Sequence, residues 1–465
     1  MRKIVIVGGG FSGAAVAINL LRRPPESGVH VVMVERRPRF GRGLAYSTWD
    51  DNHILNVPAG NMSLHPDDPH HFVHFCQEQD PAFGPSSFVC RRLYGDYIER
   101  ELHAAVRSSH GRLELVQGEV SYIALQPEDR GATVQVEGRG AVRSSPLRAD
   151  VVVLASGHLE PSPIVSAEEN ADAGSCVDNP WHSAAFDGLT AEDPVAIVGT
   201  GHTAIDVLFS LSGRSEARRS YLISRHGLLP QPHRTQAILG AWPAFPEYLE
   251  QAPMTARACS RALRCQVKSA ALRGIDWRDI IGGLRPHTPE IWRRLPVPER
   301  ERFMKWLAPY WNVHRHRLAP AAWNRLAGMI GRGSVEVIAG RIEAIERIER
   351  AVRLTVAPRG GRTRRKLEVR RVINCTGAGC DLLGTSDRLV RQLLAQGLVR
   401  PDPLRMGLNV SAHYRVVGAS GRACNSIRYI GPMLRATYGE AIAVPELRVH
   451  ARRLAENLVQ PAPPG

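Results

Sequence analysis

The chain has 465 residues, 43% hydrophobic and 23% charged, which allows two or three domains with a sizeable core and excludes large-scale disorder. Sixty Lys and Arg against forty-five Asp and Glu leave a net charge of +15. The arginines are spread along the chain, so a solvated basic surface that favours anionic cofactors and substrates fits better than nucleic-acid binding.

Residues 1–35 read as strand, glycine turn, helix, strand. The opening apolar run is interrupted by three glycines, which argues against a secretory signal. Gly8-x-Gly10-x-x-Gly13, with Ser12 inside it, stands directly between strand and helix. The first glycine permits the tight turn, the second lets the backbone approach a pyrophosphate, and the third allows close helix–strand packing. Phosphate charge then sits on free N–H groups at a helix N-terminus. The next strand, VHVVMVE, ends in Glu35. An acid there accepts hydrogen bonds from ribose hydroxyls, as the adenosine half of FAD offers.

A Pro/Gly/Asn-rich stretch, Gly41 to Pro69, follows. Long loops of this kind inside compact domains are usually functional. Helical text appears at Tyr94–Ser108, and strand text around 113–123, 132–137 and 151–155, the last leading into VVLASGH (Val152–His158). A Pro/Gly-flanked link near 160–192 then reaches DPVAIVGTGHTAIDVLFSL, a second strand–turn–helix. Its loop, Gly199-x-Gly201-x-x-Ala204, contains His202 and Thr203. The strand after it ends in Arg225. Arginine cannot accept from a ribose hydroxyl but pairs with a 2′-phosphate, which points to NADPH. An ordinary surface arginine, with NADH as the cofactor, is the alternative.

Residues 228–330 are rich in Trp, Pro and Arg without a strand run, and read as a helical insertion. Strands resume with VEVIAG, RLTVAP and RRVINCTG, and the chain closes with SIRYIGPM and a helix. The basic cluster Arg359–Lys366 looks like a hairpin tip. The fold class expected is α/β, with two Rossmann-like dinucleotide-binding domains and the helical insertion. The FAD domain is drawn from residues 1–190 and 371–465, and the NAD(P)H domain from 191–370. One loop with an acid and one with a base suit a chain that passes a hydride from a diffusible nicotinamide to a bound flavin. The eight cysteines are scattered without a C-x-x-C, which argues against a disulfide framework, a zinc site or a redox pair. No membrane span is expected, no metal, and a cytoplasmic setting suits the cysteine usage.

GRGLAYS (Gly41–Ser47), NVPAGNMS (Asn56–Ser63), SRHGLLP (Ser224–Pro230) and AVPELR (Ala443–Arg448) make the chain resemble the flavoproteins with two dinucleotide-binding domains, and within them a bacterial branch of FAD/NAD(P)-binding proteins. The resemblance implies that FAD lies against Gly8, Gly10, Ser12, Gly13, Glu35, Arg42, Gly43, Tyr46, Gly157, Gly377 and Gly431. The nicotinamide cofactor, NADPH or NADH, would lie against Gly199, Gly201, His202, Thr203 and Arg225. CVDNPWHSAAF retains His182 and Phe186 of the flavin monooxygenase fingerprint, with Cys176 and Asp178 where Phe and Gly stand in it. Asn56 resembles an asparagine that faces the flavin where oxygen reacts. An Asx-turn closing the loop before Pro58 accounts for Asn56 equally well.

His182 and Asn56 are therefore the candidate catalytic residues. Trp311, Arg315 and Arg317 are candidates for an anionic or heteroaromatic substrate. His65 reads as a lone loop histidine. The activity implied is an FAD-dependent, NAD(P)H-consuming monooxygenase acting with molecular oxygen on a small electron-rich molecule. Urate, hydroxylated to 5-hydroxyisourate, is the substrate suggested by resemblance alone. A flavoprotein reductase without oxygen insertion, and a flavin-binding sensor without turnover, are the rival readings.

Overall fold

The computed structural model describes residues 2–23, 28–138, 146–164, 174–215, 218–234 and 244–460. Part of the expected link (165–173) and part of the insertion (235–243) lie outside them. Strand β1 (Arg2–Val7) turns into helix α1 (Phe11–Leu21), and β2 (Val29–Glu35) lies parallel to β1. Both strands are Val/Ile-rich and almost wholly buried, as befits parallel strands covered by helices. After the long loop come α2 (His71–Gln79), α3 (Arg91–Ser108) and β3 (Leu113–Gln117). Strands β4 (Glu119–Leu125), β5 (Ala132–Glu137) and β6 (Leu147–Ala149) make a separate antiparallel sheet, and β7 (Val151–Leu154) returns to β1. The strand text of 113–123 thus splits between two sheets. It does so at Gly118, where a Cβ would stand 2.6 Å from Val136.

The second unit holds β8 (Cys176–Val177), β9 (Val195–Val198), α4 (His202–Arg214) and β10 (Ser220–Ser224). Helices then dominate: α5 (Glu247–Glu250), α6 (Ala256–Ala271), α7 (Trp277–Gly283), α8 (Thr288–Arg294), α9 (Val297–Arg302), α10 (Ala308–Arg315) and α11 (Pro320–Gly331). A π-turn at Phe303–Leu307 joins α9 to α10. Strands β11 (Val335–Ile348), β12 (Ala351–Pro358) and β13 (Arg365–Val369) form antiparallel hairpins, with Arg359–Arg364 at the turn between the last two. Strand β14 (Arg371–Asn374) precedes α12 (Arg388–Ala395), β15 (Arg415–Val417), β16 (Ala423–Tyr429), α13 (Arg435–Tyr438) and α14 (Val444–Val459).

The first sheet runs β15-β16-β7-β1-β2-β3, so both ends of the chain build it. The second runs β13-β12-β11-β10-β9-β14-β8. This corrects the expected boundaries at two points. Residues 371–374 and 176–177, assigned from sequence to the FAD domain, belong to the second sheet, because β14 pairs in parallel with β9 and β8 with β14. The largest core surrounds the first sheet with α1, α3 and α14. Two smaller cores lie on the faces of the second sheet. The two connections between the sheets touch where Leu159 and Gly379 exchange both backbone hydrogen bonds, at 3.1 and 3.0 Å. No helix among the described residues is long and apolar enough to cross a membrane.

Candidate functional site

The two glycine loops repeat one construction. Gly8 has φ +107°, and a Cβ there would stand 2.4 Å from the carbonyl oxygen of Ala155, just past β7. Gly199 has φ +123°, and its Cβ would stand 2.3 Å from the carbonyl oxygen of Cys375, just past β14. Only glycine tolerates either position. Gly13 closes the first loop against the Gly8 carbonyl, 2.1 Å from where a Cβ would be. Helices α1 and α4 both begin without a side-chain cap, so their first N–H groups are left for an anion. In front of Gly201 a Cβ would meet nothing within 4 Å, which leaves room for a pyrophosphate. Ser12 and Thr203 lie in the first turns of these helices.

Glu35 is buried at the end of β2 and accepts hydrogen bonds from the N–H groups of Gly9 (2.7 Å) and Arg37 (2.9 Å). It sets the loop, and its carboxylate keeps lone pairs for a ribose. Gly43, at φ +56°, packs against Gly10, and Tyr46 packs edge-on against Tyr94. Burial pushes the Tyr46 hydroxyl up to about 12. Arg42 departs from expectation. It is 2% exposed and its guanidinium is held by Asp96 and by Glu99 (2.8 Å) of α3, so it braces the loop from behind and is not a free cation for phosphate. Gly157 and Gly377 have positive φ and open space at their Cβ positions, in the two connections between sheets. Gly431 stands two residues past β16 at φ +144°, with its would-be Cβ against the Tyr429 hydroxyl.

At the end of β10, Arg225 is exposed and neighbours His226, whose Nδ1 accepts from Arg359 at 2.8 Å. The hairpin thus brings a second arginine to the edge that carries Arg225. Sequence reading saw only a solvated tip there. Thr200, also missed, donates to the Leu228 carbonyl at 2.6 Å and ties the second loop to the segment after β10.

A cavity of about 1150 Å³ opens where the two sheets and the insertion meet. Asn56, Gly201, His202 and Trp311 line it, so the structure brings these four predicted residues together. Arg91, His158, Met406, Arg435 and Glu440 join them. The Asn56 carbonyl accepts from His233 Nε2 at 3.0 Å, and His202 Nε2 donates to the Arg317 carbonyl at 3.2 Å. Burial, reinforced by nearby arginines, lowers the pKa of His158, His202 and His233 to about 4, and that of His316 well below the usual value. These rings are neutral at physiological pH and serve as hydrogen-bonding groups without charge.

Three predicted residues are not where expected. His182 is exposed in the turn before β9 and outside the cavity wall, with its backbone N–H on the Asn179 carbonyl. Arg315 is paired with Glu440 at 2.8 Å and Glu446 at 3.5 Å, and Arg285 pairs with Glu446 from the other side. That network pins α10 to the segment around α14, which accounts for the arginine without a substrate. Arg317 lies behind the wall, 5% exposed, over Trp277. Its Nε and Nη1 lack hydrogen-bond partners, and burial together with Arg315 lowers it to about 10. His65 is not alone either. Its Nε2 meets Glu101 at 2.9 Å, and His71 Nε2 lies 3.8 Å from the same carboxylate oxygen. This is the one group of three such donors found among the described residues, and its hydrogen bonds, His65 to Glu101 and His71 to the Tyr97 hydroxyl, account for it.

The fold and the paired loops define a chain with two Rossmann-like nucleotide-binding units. Residues 5–159 match the FAD-NAD(P)-binding family, and the chain takes FAD and NAD(P)H. Among solved structures it is similar to an L-lysine 6-monooxygenase from Pseudomonas syringae, at 17% identity and TM-score 0.66 over 98% of this chain and 99% of that one. It is also similar to the ornithine N-hydroxylase of Kutzneria sp. 744, solved with reduced FAD, NADP+ and L-ornithine, at 16% identity and TM-score 0.61 over 98% and 99%. A cadaverine monooxygenase from Erwinia amylovora, solved with FAD, aligns at 13% identity and TM-score 0.64 over 98% and 95%. No curated protein matches the chain.

Proposed function

We propose that this protein is an FAD- and NADPH-dependent monooxygenase that hydroxylates the nitrogen of an amine. The observation that carries the reading is the single cavity shared by Asn56 and His158 from one nucleotide unit and Gly201 and His202 from the other. Three similar folds belong to enzymes named for ornithine, lysine and cadaverine, which favours an amine. Bound FAD supplies hydride acceptance and oxygen chemistry. The chain's residues bind, orient and exclude water. The first glycine loop and Glu35 hold FAD, the second loop and the α4 N-terminus hold the nicotinamide nucleotide, and Arg225 with Arg359 takes its 2′-phosphate. Helices of the insertion roof the site, where fixed hydrogen-bonding groups act more strongly than in water. Neutral histidines add no charge to repel a cationic substrate. The nucleotide units are taken as 1–164 with 375–460, and 174–374.

Urate finds no support in this site. The similar folds belong to enzymes named for amines, none for a purine. Anaerobic mixing of the FAD-loaded chain with NADPH tests the reading. Flavin bleaching, followed in air by amine-dependent NADPH consumption that yields a hydroxylamine, is expected. Bleaching with hydrogen peroxide as the sole product across an amine panel would favour a reductase.

A further inference from the structure

We infer that the helical insertion selects a primary amine with an extended apolar body, its nitrogen at Glu440 and its body in a chamber walled by α6 to α8 and the π-turn. The inference rests on the amine reading above and narrows it. Helix α6 turns Ala256, Ser260, Leu263 and Val267 toward the cavity, a spacing that places them on one face. Only Ala256 and Ala270 of this helix are fully buried. Leu263 and Val267 therefore face space that the described residues do not fill. Ile281 of α7, Trp292 of α8 and Leu307 of the π-turn line the same cavity. A ligand with an apolar body would remove this surface from water.

The head group follows from charge. Among the described residues Glu440 is the one carboxylate in the cavity wall. It is 7% exposed; Oε2 is held by Arg315 at 2.8 Å, while Oε1 has no hydrogen-bond partner. A buried carboxylate oxygen without a donor is costly, and an ammonium offers three. Of the four Lys and Arg side chains in the wall among the described residues, Arg91 is held by Asp206 at 2.8 Å, Arg264 and Lys268 are exposed on α6, and Arg435, at the start of α13, is half-buried with its Nε unpartnered. A small, fully polar substrate would leave the chamber unfilled.

The test is equilibrium binding of butylamine, octylamine, decylamine and decanoate to the FAD-loaded full chain, read from tryptophan fluorescence. Affinity is expected to rise about fourfold per buried methylene, so decylamine should bind at least ~100-fold tighter than butylamine. Leu263→Trp should fill the chamber, weakening decylamine ~10-fold or more with butylamine and FAD content unchanged. Glu440→Gln should weaken all the amines together by ~10-fold or more. No dependence on chain length, or decanoate binding as tightly as decylamine, overturns the inference. Decylamine that binds without being hydroxylated leaves it standing and ends the monooxygenase reading. Ornithine or lysine hydroxylated while alkylamines fail to bind does the reverse.

Discussion

Arg91 at the start of α3 and Asp206 in α4 form an ion pair of 2.8 Å across the junction of the two nucleotide units. Their side chains are 17% and 8% exposed. Burial raises the Asp206 carboxyl, and Arg91 opposes that rise. The pair fixes α4, and with it the second glycine loop, relative to the wall that carries Asn56. Removing one partner leaves a buried charge behind, at a cost of about 3–5 kcal/mol. Asp206→Asn is therefore expected to lower stability to denaturant by ~3 kcal/mol or more and to weaken NADPH binding. The double variant Arg91→Met, Asp206→Leu should regain most of the stability but not the NADPH affinity. Urea unfolding and NADPH titration of the three proteins check this.

The proposed assignment of one glycine loop to each cofactor makes the two separable by substitution. Gly199→Ala forces a methyl to 2.3 Å from the Cys375 carbonyl, at a φ only glycine adopts readily. The purified variant should keep its flavin while losing reduction by NADPH. Gly8→Ala should do the opposite and emerge without flavin. Flavin content by absorbance and anaerobic reduction by NADPH or dithionite distinguish the two.

Arg225 and Arg359 make the nicotinamide preference measurable. Each charge-assisted contact to a phosphate is worth about 1.5–3 kcal/mol, roughly tenfold or more in binding. Substituting either by Ala should raise KM for NADPH by about tenfold and leave KM for NADH nearly unchanged. Steady-state flavin reduction with both nucleotides is the measurement. Equal effects would remove the 2′-phosphate assignment.

Stability should fall on the acid side. His202, His233 and His450 have folded-state pKa values lowered to about 4, in each case chiefly by burial. Their unfolded value is near 6.5. The unfolded chain thus binds more protons between those values, and stability is complete above pH ~6.5 and lost as pH falls toward ~4. The loss is at most ~1.4 kcal/mol per pH unit for each histidine. His450, whose Nδ1 meets the Tyr414 hydroxyl at 2.9 Å, lies outside the cavity wall and is the cleanest reporter. His450→Gln should lower Tm at pH 8 yet flatten its fall below pH 6.

Much of the fold is legible in the chain because its signals are local. Gly8, Gly13 and Gly199 stand where a methyl would strike backbone, and Glu35 closes the strand that follows the loop and its helix. The wall of the site is a different matter. Arg42 meets Asp96 from 54 positions away, and Arg315 meets Glu440 from 125. An arginine's sequence context does not reveal whether a distant carboxylate will neutralise it. Sequence alone therefore leaves both looking free for ligands. Arg359 reaches the end of β10 only because the hairpin folds back. Glu440 carries no motif at all. Its meaning comes from a partner on one oxygen and none on the other. His182 followed from half a fingerprint, with Cys176 and Asp178 where Phe and Gly would complete it, and the retained histidine lies outside the cavity wall.

The most direct test follows labelled oxygen. The FAD-loaded chain is supplied with NADPH, an alkylamine and heavy-isotope O2, and product mass and peroxide are measured together. The account predicts a hydroxylamine carrying one labelled oxygen for each NADPH consumed, with little peroxide. Unlabelled amine recovered intact beside peroxide equal to the NADPH consumed, for every amine tried, would contradict it.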